Sequence, residues 1–381
     1  MKRELIATAT FGLEAVVKRE IQALGYEIIR SEDGKITFGG DETAIARANL
    51  WLRCADRVLL KMGEFQALEF EELYQRTRGI PWEELIPMEG KFAVTGTSVK
   101  SKLFSVPSCQ SIVKKAIADR LADFYCVEKL PETGSEYKVK VAILKDRVTL
   151  TVDTSGMGLH KRGYRVRDVQ APIKETLAAA MIQLSFWRPG RFLVDPCCGS
   201  GTIPIEAALI GRNIAPGLLR TFVSEEWDIM DRGQFQKARE EALSAVEKEG
   251  TLNILGRDVD RNAVAAAREN AEKAGVAGNI RFVQGNISQL EAEEKGGIII
   301  TNPPYGERIG EEKEIATIYR SLGGFCEKNK DWSLFLVTTD KAAEAKVMGR
   351  PANRRRKLYN GRLEVCYYQF HGEKPRLDKR Q

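Results

Sequence analysis

The chain has 381 residues, 43% of them hydrophobic and 29% charged, which suits two or three folded domains and excludes a disordered chain. It holds no run of about 18 apolar residues, and Glu4 and Glu14 interrupt the N-terminal stretch; neither a membrane span nor a signal peptide is expected, and the setting reads as cytoplasmic. The net charge of +6 is mild and points to a polyanionic partner only where it is concentrated locally.

In chain order, LIATAT (5–10) predicts a strand and LEAVVKREIQALG (13–25) a helix ended by Gly25. EIIR (27–30) and GKITFGG (34–40) predict a hairpin, and ETAIARANLWLR (42–53) a second helix. That β-α-β-β-α order opens a ferredoxin-like unit, placed at residues 1–60. A second α+β unit, residues 61–165, follows: a strand at KFAVTGTSV (91–99), an amphipathic helix at 108–125, and two strands within 137–155 joined at Lys145-Asp146. From residue 166 to 381 the pattern changes. Apolar strands RFLVD (191–195), LNILGRDVD (252–260), IRFVQGN (280–286), GIIITN (297–302) and WSLFLVTT (332–339) alternate with helical stretches beginning near Thr202, Arg261 and Ile315. Such βα repeats imply a mostly parallel, Rossmann-like α/β sheet covered on both faces, with ligands bound beyond the carboxyl ends of its strands. Residues 212–250 interrupt the repeats as an insert with its own helix, FQKAREEALSAVEKEG.

The seven cysteines are scattered with no CxxC pair, and His160 and His371 are the only histidines. Free thiols, and no metal site, are the reading. The loops after the strands carry the chemistry instead. Asp195-Pro196-Cys197-Cys198-Gly199-Ser200-Gly201-Thr202 joins a strand to a helix, and Gly199 and Gly201 allow a tight turn and close backbone approach. Free N–H groups at the helix start suit a carboxylate. No third glycine and no GKT or GKS follows, which argues against a dinucleotide site and a P-loop. At the tip of the next strand an acidic residue can hold both hydroxyls of a ribose; Asp258 is assigned, with Asp260 as its competitor. Asn286, at the end of the third strand, is the candidate for an adenine edge.

The fourth loop is Asn302-Pro303-Pro304-Tyr305. Its prolines stiffen the chain and remove two donors, leaving the Asn302 side-chain oxygen and the Pro303 carbonyl as acceptors. Two acceptors aimed at an exocyclic NH2 would hold its protons and direct its lone pair at an electrophile, while Tyr305 offers a face for stacking a base.

These residues resemble class I methyltransferases acting on exocyclic amines, whose hallmark is an [DNS]PP[YFW] tetrad. Asn302–Tyr305 matches it fully; DPCCGSGT resembles the family's methionine-end loop, and Asp258 its ribose-binding acid. The longer NPPYGERIG (302–310), with HKRGYR (160–165), APIKETLAAAM (171–181), IAPGLLR (214–220) and NGRLEVCYYQF (360–370), is similar to RNA guanine-N2 methyltransferases carrying a THUMP domain, particularly bacterial enzymes of large-subunit (23S) ribosomal RNA. The resemblance implies S-adenosylmethionine, held at its methionine end by Asp195 and the GSG loop, at its ribose by Asp258 and at its adenine by Asn286. It departs at Asn286, where many relatives have Asp. RNA contact is expected from Lys161, Arg162, Arg165 and Arg167, from Arg354, Arg355, Arg356 and Lys357, and from Lys114 and Lys115. Rival readings are a transfer-RNA guanine-N2 enzyme, an adenine-N6 DNA methyltransferase, a non-catalytic RNA-binding protein and a dehydrogenase.

Overall fold

The computed structural model describes residues 3–166, 173–230, 233–305 and 311–373. Two compact units emerge, each built on a sheet that has seven strands among the described residues. The first takes in the chain up to Ala9, Val17–Leu159 and Arg220–Glu241; the second takes in Thr10–Val16, His160–Leu219 and the chain from Ala242 onward.

In the first unit the predicted elements form as β1 (Arg3–Ala9), α1 (Glu14–Ala23), β2 (Ile28–Glu32), β3 (Lys35–Gly40) and α2 (Glu42–Trp51). Asp41 caps α2, its carboxylate accepting from the Ala44 N–H at 2.9 Å. Two elements had no clear sequence signal: β4 (Ala55–Gln66) and α3 (Phe70–Arg78). β5 (Lys91–Val99), α4 (Val106–Tyr125), β6 (Glu136–Leu144) and β7 (Arg147–Asp153) complete the unit. The strand order is β2-β3-β1-β4-β7-β6-β5, so the long strand β4 pairs with β1 on one side and β7 on the other and makes one sheet of both predicted domains. The insert packs here: the buried Trp227 stacks on Tyr137, ring centroids 4.9 Å apart, and its indole N–H donates to the Glu136 carbonyl.

The second unit holds α5 (Glu175–Gln183), β8 (Leu193–Asp195), α6 (Thr202–Gly211), β9 (Ile254–Asp258), α8 (Arg261–Lys273), β10 (Arg281–Gln284), β11 (Ile298–Thr301), α9 (Glu311–Lys328), β12 (Ser333–Thr338), α10 (Ala343–Met348), β13 (Arg354–Asn360) and β14 (Leu363–Phe370); α7 (Gln234–Ser244) is the predicted insert helix and crosses from one unit to the other. The order is β10-β9-β8-β11-β12-β14-β13, parallel from β10 through β12 and antiparallel at the last two strands. Every residue of β8, β11 and β12 is buried, as expected where helices cover both faces of a parallel sheet. The core includes Val194, Ile299, Leu334 and Leu336 from these strands, Leu255 from β9, and Leu322 and Phe325 from α9. The order reverses at β8, between β9 and β11, and the predicted loops lie beyond the carboxyl ends of those strands. No helix of the described residues is long and apolar enough to cross a membrane.

Candidate active site

The loop between β8 and α6 turns through Gly199 and Gly201, with φ of 51° and 82°. At Gly201 a Cβ would stand 2.9 Å from the Ala267 Cβ and 3.0 Å from the Phe282 ring, so only glycine fits both the backbone and the space. The loop is tied to β9: the Cys198 N–H donates to the Arg257 carbonyl (2.9 Å) and the Gly199 N–H to Asp258 Oδ2 (2.8 Å). Asp260 is occupied as the N-cap of α8, accepting from the Asn262 N–H at 2.8 Å. Of the two competing acids, Asp258 is the one on the cavity wall.

Asp195 was expected to meet a ligand directly. Its side chain is instead 1% exposed, accepting from the Thr301 hydroxyl (2.8 Å) and the Cys197 N–H (3.2 Å), so it braces the loop against β11. Burial pushes its carboxyl up to about 7, against the pull of those two donors. Burial and the nearby Asp195 and Asp258 carboxylates also hold the Cys197 and Cys198 thiols well above their ordinary range, which leaves both protonated at neutral pH.

Ser200 and Thr202 are likewise buried, and their hydroxyls accept from Arg165, at 3.1 Å each. Arg165 also donates through Nε to Glu175 at 2.9 Å. Asn270, buried in α8, donates from Nδ2 to the Ser200 carbonyl (3.1 Å) and accepts from the Val166 N–H (2.8 Å). Arg165, from the segment that opens this stretch of the second unit, and Asn270, from α8, therefore hold the loop between β8 and α6. Arg162 is 2% exposed and pairs with the fully buried Glu206 at 3.3 Å, which also accepts from the Tyr164 hydroxyl at 3.2 Å. Arg162 and Arg165 are thus not RNA contacts, because their charges are turned inward onto carboxylates. Lys161 is exposed, and Arg167 lies outside the described residues.

A cavity of about 370 Å³ opens beyond the strand ends, within the usual span of roughly 300–1,000 Å³ for a small-molecule site. Pro196, Cys197, Asp258, Val259, Asn286 and Ile287 line one part of it, and Pro304 and the α9 residues Lys313 and Thr317 another. Val259 and Ile287 provide apolar surface beside two polar groups, a combination that fits a nucleoside with a ribose diol. Asn286 Oδ1 accepts from the Ser288 N–H at 2.9 Å as a local cap, and its amide N–H2 is a donor suited to a ring nitrogen of adenine. Lys313 and Thr317 were not foreseen, since nothing in the helix pattern marks them. Asn270 had a signal, a polar residue on the core face of an amphipathic helix.

Asn302 follows β11 directly, Pro303 is buried, and Pro304 reaches the cavity wall. The Tyr305 hydroxyl donates to Asn302 Oδ1 at 2.5 Å. Residues 306–310 of the longer motif lie outside the described residues. The second basic cluster sits on β13 at the sheet edge. Side chains alternate along a strand, so Arg354 and Arg356 point to one face and Arg355 and Lys357 to the other. Arg355 pairs with Glu344 (3.4 Å) and Lys357 with Glu364 (2.7 Å). The four do not form one patch.

Residues 162–369 match the family described as RMKL-like, methyltransferase domain; residues 4–59 match the RlmL ferredoxin-like domain and residues 67–153 the THUMP domain. YpsC of Bacillus subtilis (strain 168), whose name carries a provisional RNA methyltransferase assignment, is 48% identical over 97% of this chain and 96% of its own. Ribosomal RNA large subunit methyltransferase K/L of Syntrophotalea carbinolica is 37% identical over 96% of this chain but only 53% of its own length. Among solved structures, a Listeria monocytogenes protein described as a predicted N6-adenine-specific DNA methylase superposes with a TM-score of 0.94 at 48% identity, covering 98% of this chain and 97% of that one. SMU.472, solved in complex with SAH, superposes with a TM-score of 0.92 at 43% identity, covering 98% of this chain and 99% of that one.

Proposed function

The chain belongs to the RMKL-like methyltransferase family, and on that premise we propose that it methylates the exocyclic N2 amine of a guanosine in 23S ribosomal RNA, in the cytoplasm. Its cofactor is S-adenosylmethionine, which supplies an electrophilic methyl group on a cationic sulfur. The observation that carries the reading is the Asn302–Tyr305 tetrad, set at the end of β11 with Pro304 on the wall of the cavity that Asp258 also lines.

Asp258 would take the ribose hydroxyls, the Asn286 amide an adenine ring nitrogen, and the backbone N–H groups at the start of α6 the methionine carboxylate. Asp195, Ser200, Thr202 and Arg165 act one step back, by fixing the loop. The target base leaves its stack to reach the site, and the Tyr305 ring gives it a face to stack on. Asn302 Oδ1 and the Pro303 carbonyl accept from the amine and hold its lone pair in line with the methyl group. The proton that the amine sheds leaves after transfer, so the site needs acceptors and alignment rather than a strong base.

The test is methyl transfer from labelled S-adenosylmethionine to ribosomal RNA, transfer RNA and duplex DNA, each digested to nucleosides. Labelled N2-methylguanosine from ribosomal RNA is expected. The same product from transfer RNA would move the target, and N6-methyladenine in DNA would overturn the RNA reading, the outcome the Listeria description anticipates.

A further inference from the structure

Phe104 is the most exposed large apolar side chain among the described residues, at 81%. A loose loop could leave a phenylalanine in water by accident, but this loop is built. Leu103 beside it is buried, and its carbonyl accepts from the Ser98 hydroxyl at 2.6 Å. The Lys102 N–H donates to Asp146 Oδ1 (2.6 Å), the Asp146 N–H to the Ser101 hydroxyl (3.0 Å), and the Lys145 N–H to the Val99 carbonyl (3.1 Å). The segment after β5 is therefore fastened to the β6–β7 turn. Lys100, Lys145 and Asp146 all adopt left-handed backbone, with φ of 51°, 52° and 64°, a conformation that non-glycine residues enter at a cost.

The neighbouring chemistry is of one kind. Val99 and Leu144, register partners at the ends of β5 and β6, are each about half exposed. Lys100, Lys102 and Lys145 are exposed, and none has an ion-pair partner among the described residues. Asp146, the carboxylate of the β6–β7 turn, is engaged with the Lys102 N–H.

We propose that this tip of the first unit is a contact for single-stranded RNA: an unpaired base stacks on Phe104 while Lys100, Lys102 and Lys145 neutralise the flanking phosphates. An exposed planar ring on a loop that also carries unpaired cations is what base stacking on a polyanion requires. A duplex presents no free base face and gains only the charge term. The inference rests on the reading of the chain as an RNA methyltransferase and adds where, and in what form, the RNA is held.

The test uses the full chain, a fluorescein-labelled adenosine dodecamer and the matching RNA duplex, read by anisotropy over a salt series, together with methyl transfer to ribosomal RNA. Phe104→Ala should weaken dodecamer binding about ten-fold and duplex binding by less than about two-fold, and Phe104→Trp should restore it. Replacing all three lysines by alanine should flatten the slope of log affinity against log salt by about 2. Melting temperature and S-adenosylmethionine affinity should not move, because these side chains pack against nothing in the cofactor cavity. Wild-type dodecamer affinity in Phe104→Ala, with the wild type active on RNA, would overturn this inference alone. Unchanged RNA binding together with altered sedimentation would assign the patch to a contact between copies and overturn it equally. A wild type that neither binds nor methylates RNA would fail the functional reading and this inference together.

Discussion

The Tyr305 hydroxyl donates to the Asn302 carboxamide oxygen across 2.5 Å, so the ring proposed to stack the target base also fixes the orientation of the proposed acceptor. A carboxamide oxygen has two lone pairs, and one stays available for an amine. Tyr305→Phe keeps the ring and removes the restraint; it should lower the single-turnover rate about ten-fold. Asn302→Ala removes the acceptor itself and should cost on the order of 10²-fold or more. S-adenosylmethionine affinity, measured by calorimetry, should change little in either variant. A Tyr305→Phe enzyme with the wild-type rate would mean that the hydrogen bond does not hold Asn302 in its working state.

Asp195 makes stability depend on pH. Its carboxyl rises from an ordinary 3.8 to about 7 because it is buried. The folded protein thus keeps a proton over a range in which the unfolded chain has released it. The stabilisation is complete below about 3.8 and is lost as pH rises through about 7. Asp195→Asn keeps an acceptor for Thr301 and the Cys197 N–H but does not titrate. Between pH 5 and 8 the melting temperature of the wild type should therefore fall more than that of Asp195→Asn. Parallel curves would show that Asp195 is charged throughout.

What was legible in the sequence is what lies close together along it. The 195–202 loop, Asp258 and the 302–305 tetrad each follow an apolar strand, and the order of the strands brings them to one edge. The strand β4 was hidden because Lys61 and Glu64 interrupt its alternation; they are half-buried yet paired with each other at 2.8 Å, which a hydropathy pattern does not register. The basic segment 160–167 misled for a related reason. Arg162 and Arg165 look solvent-directed until the carboxylates they meet are known, and Glu206 stands 44 residues beyond Arg162. On β13 the error was geometric: four adjacent cations read as a patch, but a strand divides them between two faces.

Arg162 should accordingly behave as a structural residue. Removing one partner of a buried ion pair leaves the other charge stranded, a loss of about 3–5 kcal/mol. Arg162→Ala should lower the denaturant midpoint by a corresponding amount, and pairing it with Glu206→Gln should recover part of the loss. The salt dependence of RNA binding by the folded fraction should not change. Lys161→Ala should act on RNA binding, flattening the salt slope by about 1 at most. A flattened slope in Arg162→Ala would return that residue to the RNA surface.

Arg165 should act through the loop it grips. Its guanidinium reaches Glu175, the Ser200 hydroxyl and the Thr202 hydroxyl at once, a fork that an ammonium group lacks. Arg165→Lys keeps the charge beside Glu175 but loses at least one hydroxyl, so the loop between β8 and α6 should sample more conformations. S-adenosylmethionine affinity should weaken about ten-fold, since a ligand must then order the loop as it binds. RNA affinity should be unchanged, because the side chain does not face solvent. Asn270→Ala, which releases the Ser200 carbonyl, should have the same phenotype, and the double variant should lose more than either single one while the loop keeps its Gly199–Asp258 tie. Cofactor affinity at the wild-type level in Arg165→Lys, with the protein folded, would mean that Gly201 and the Asp258 tie hold the loop without help from the segment before it.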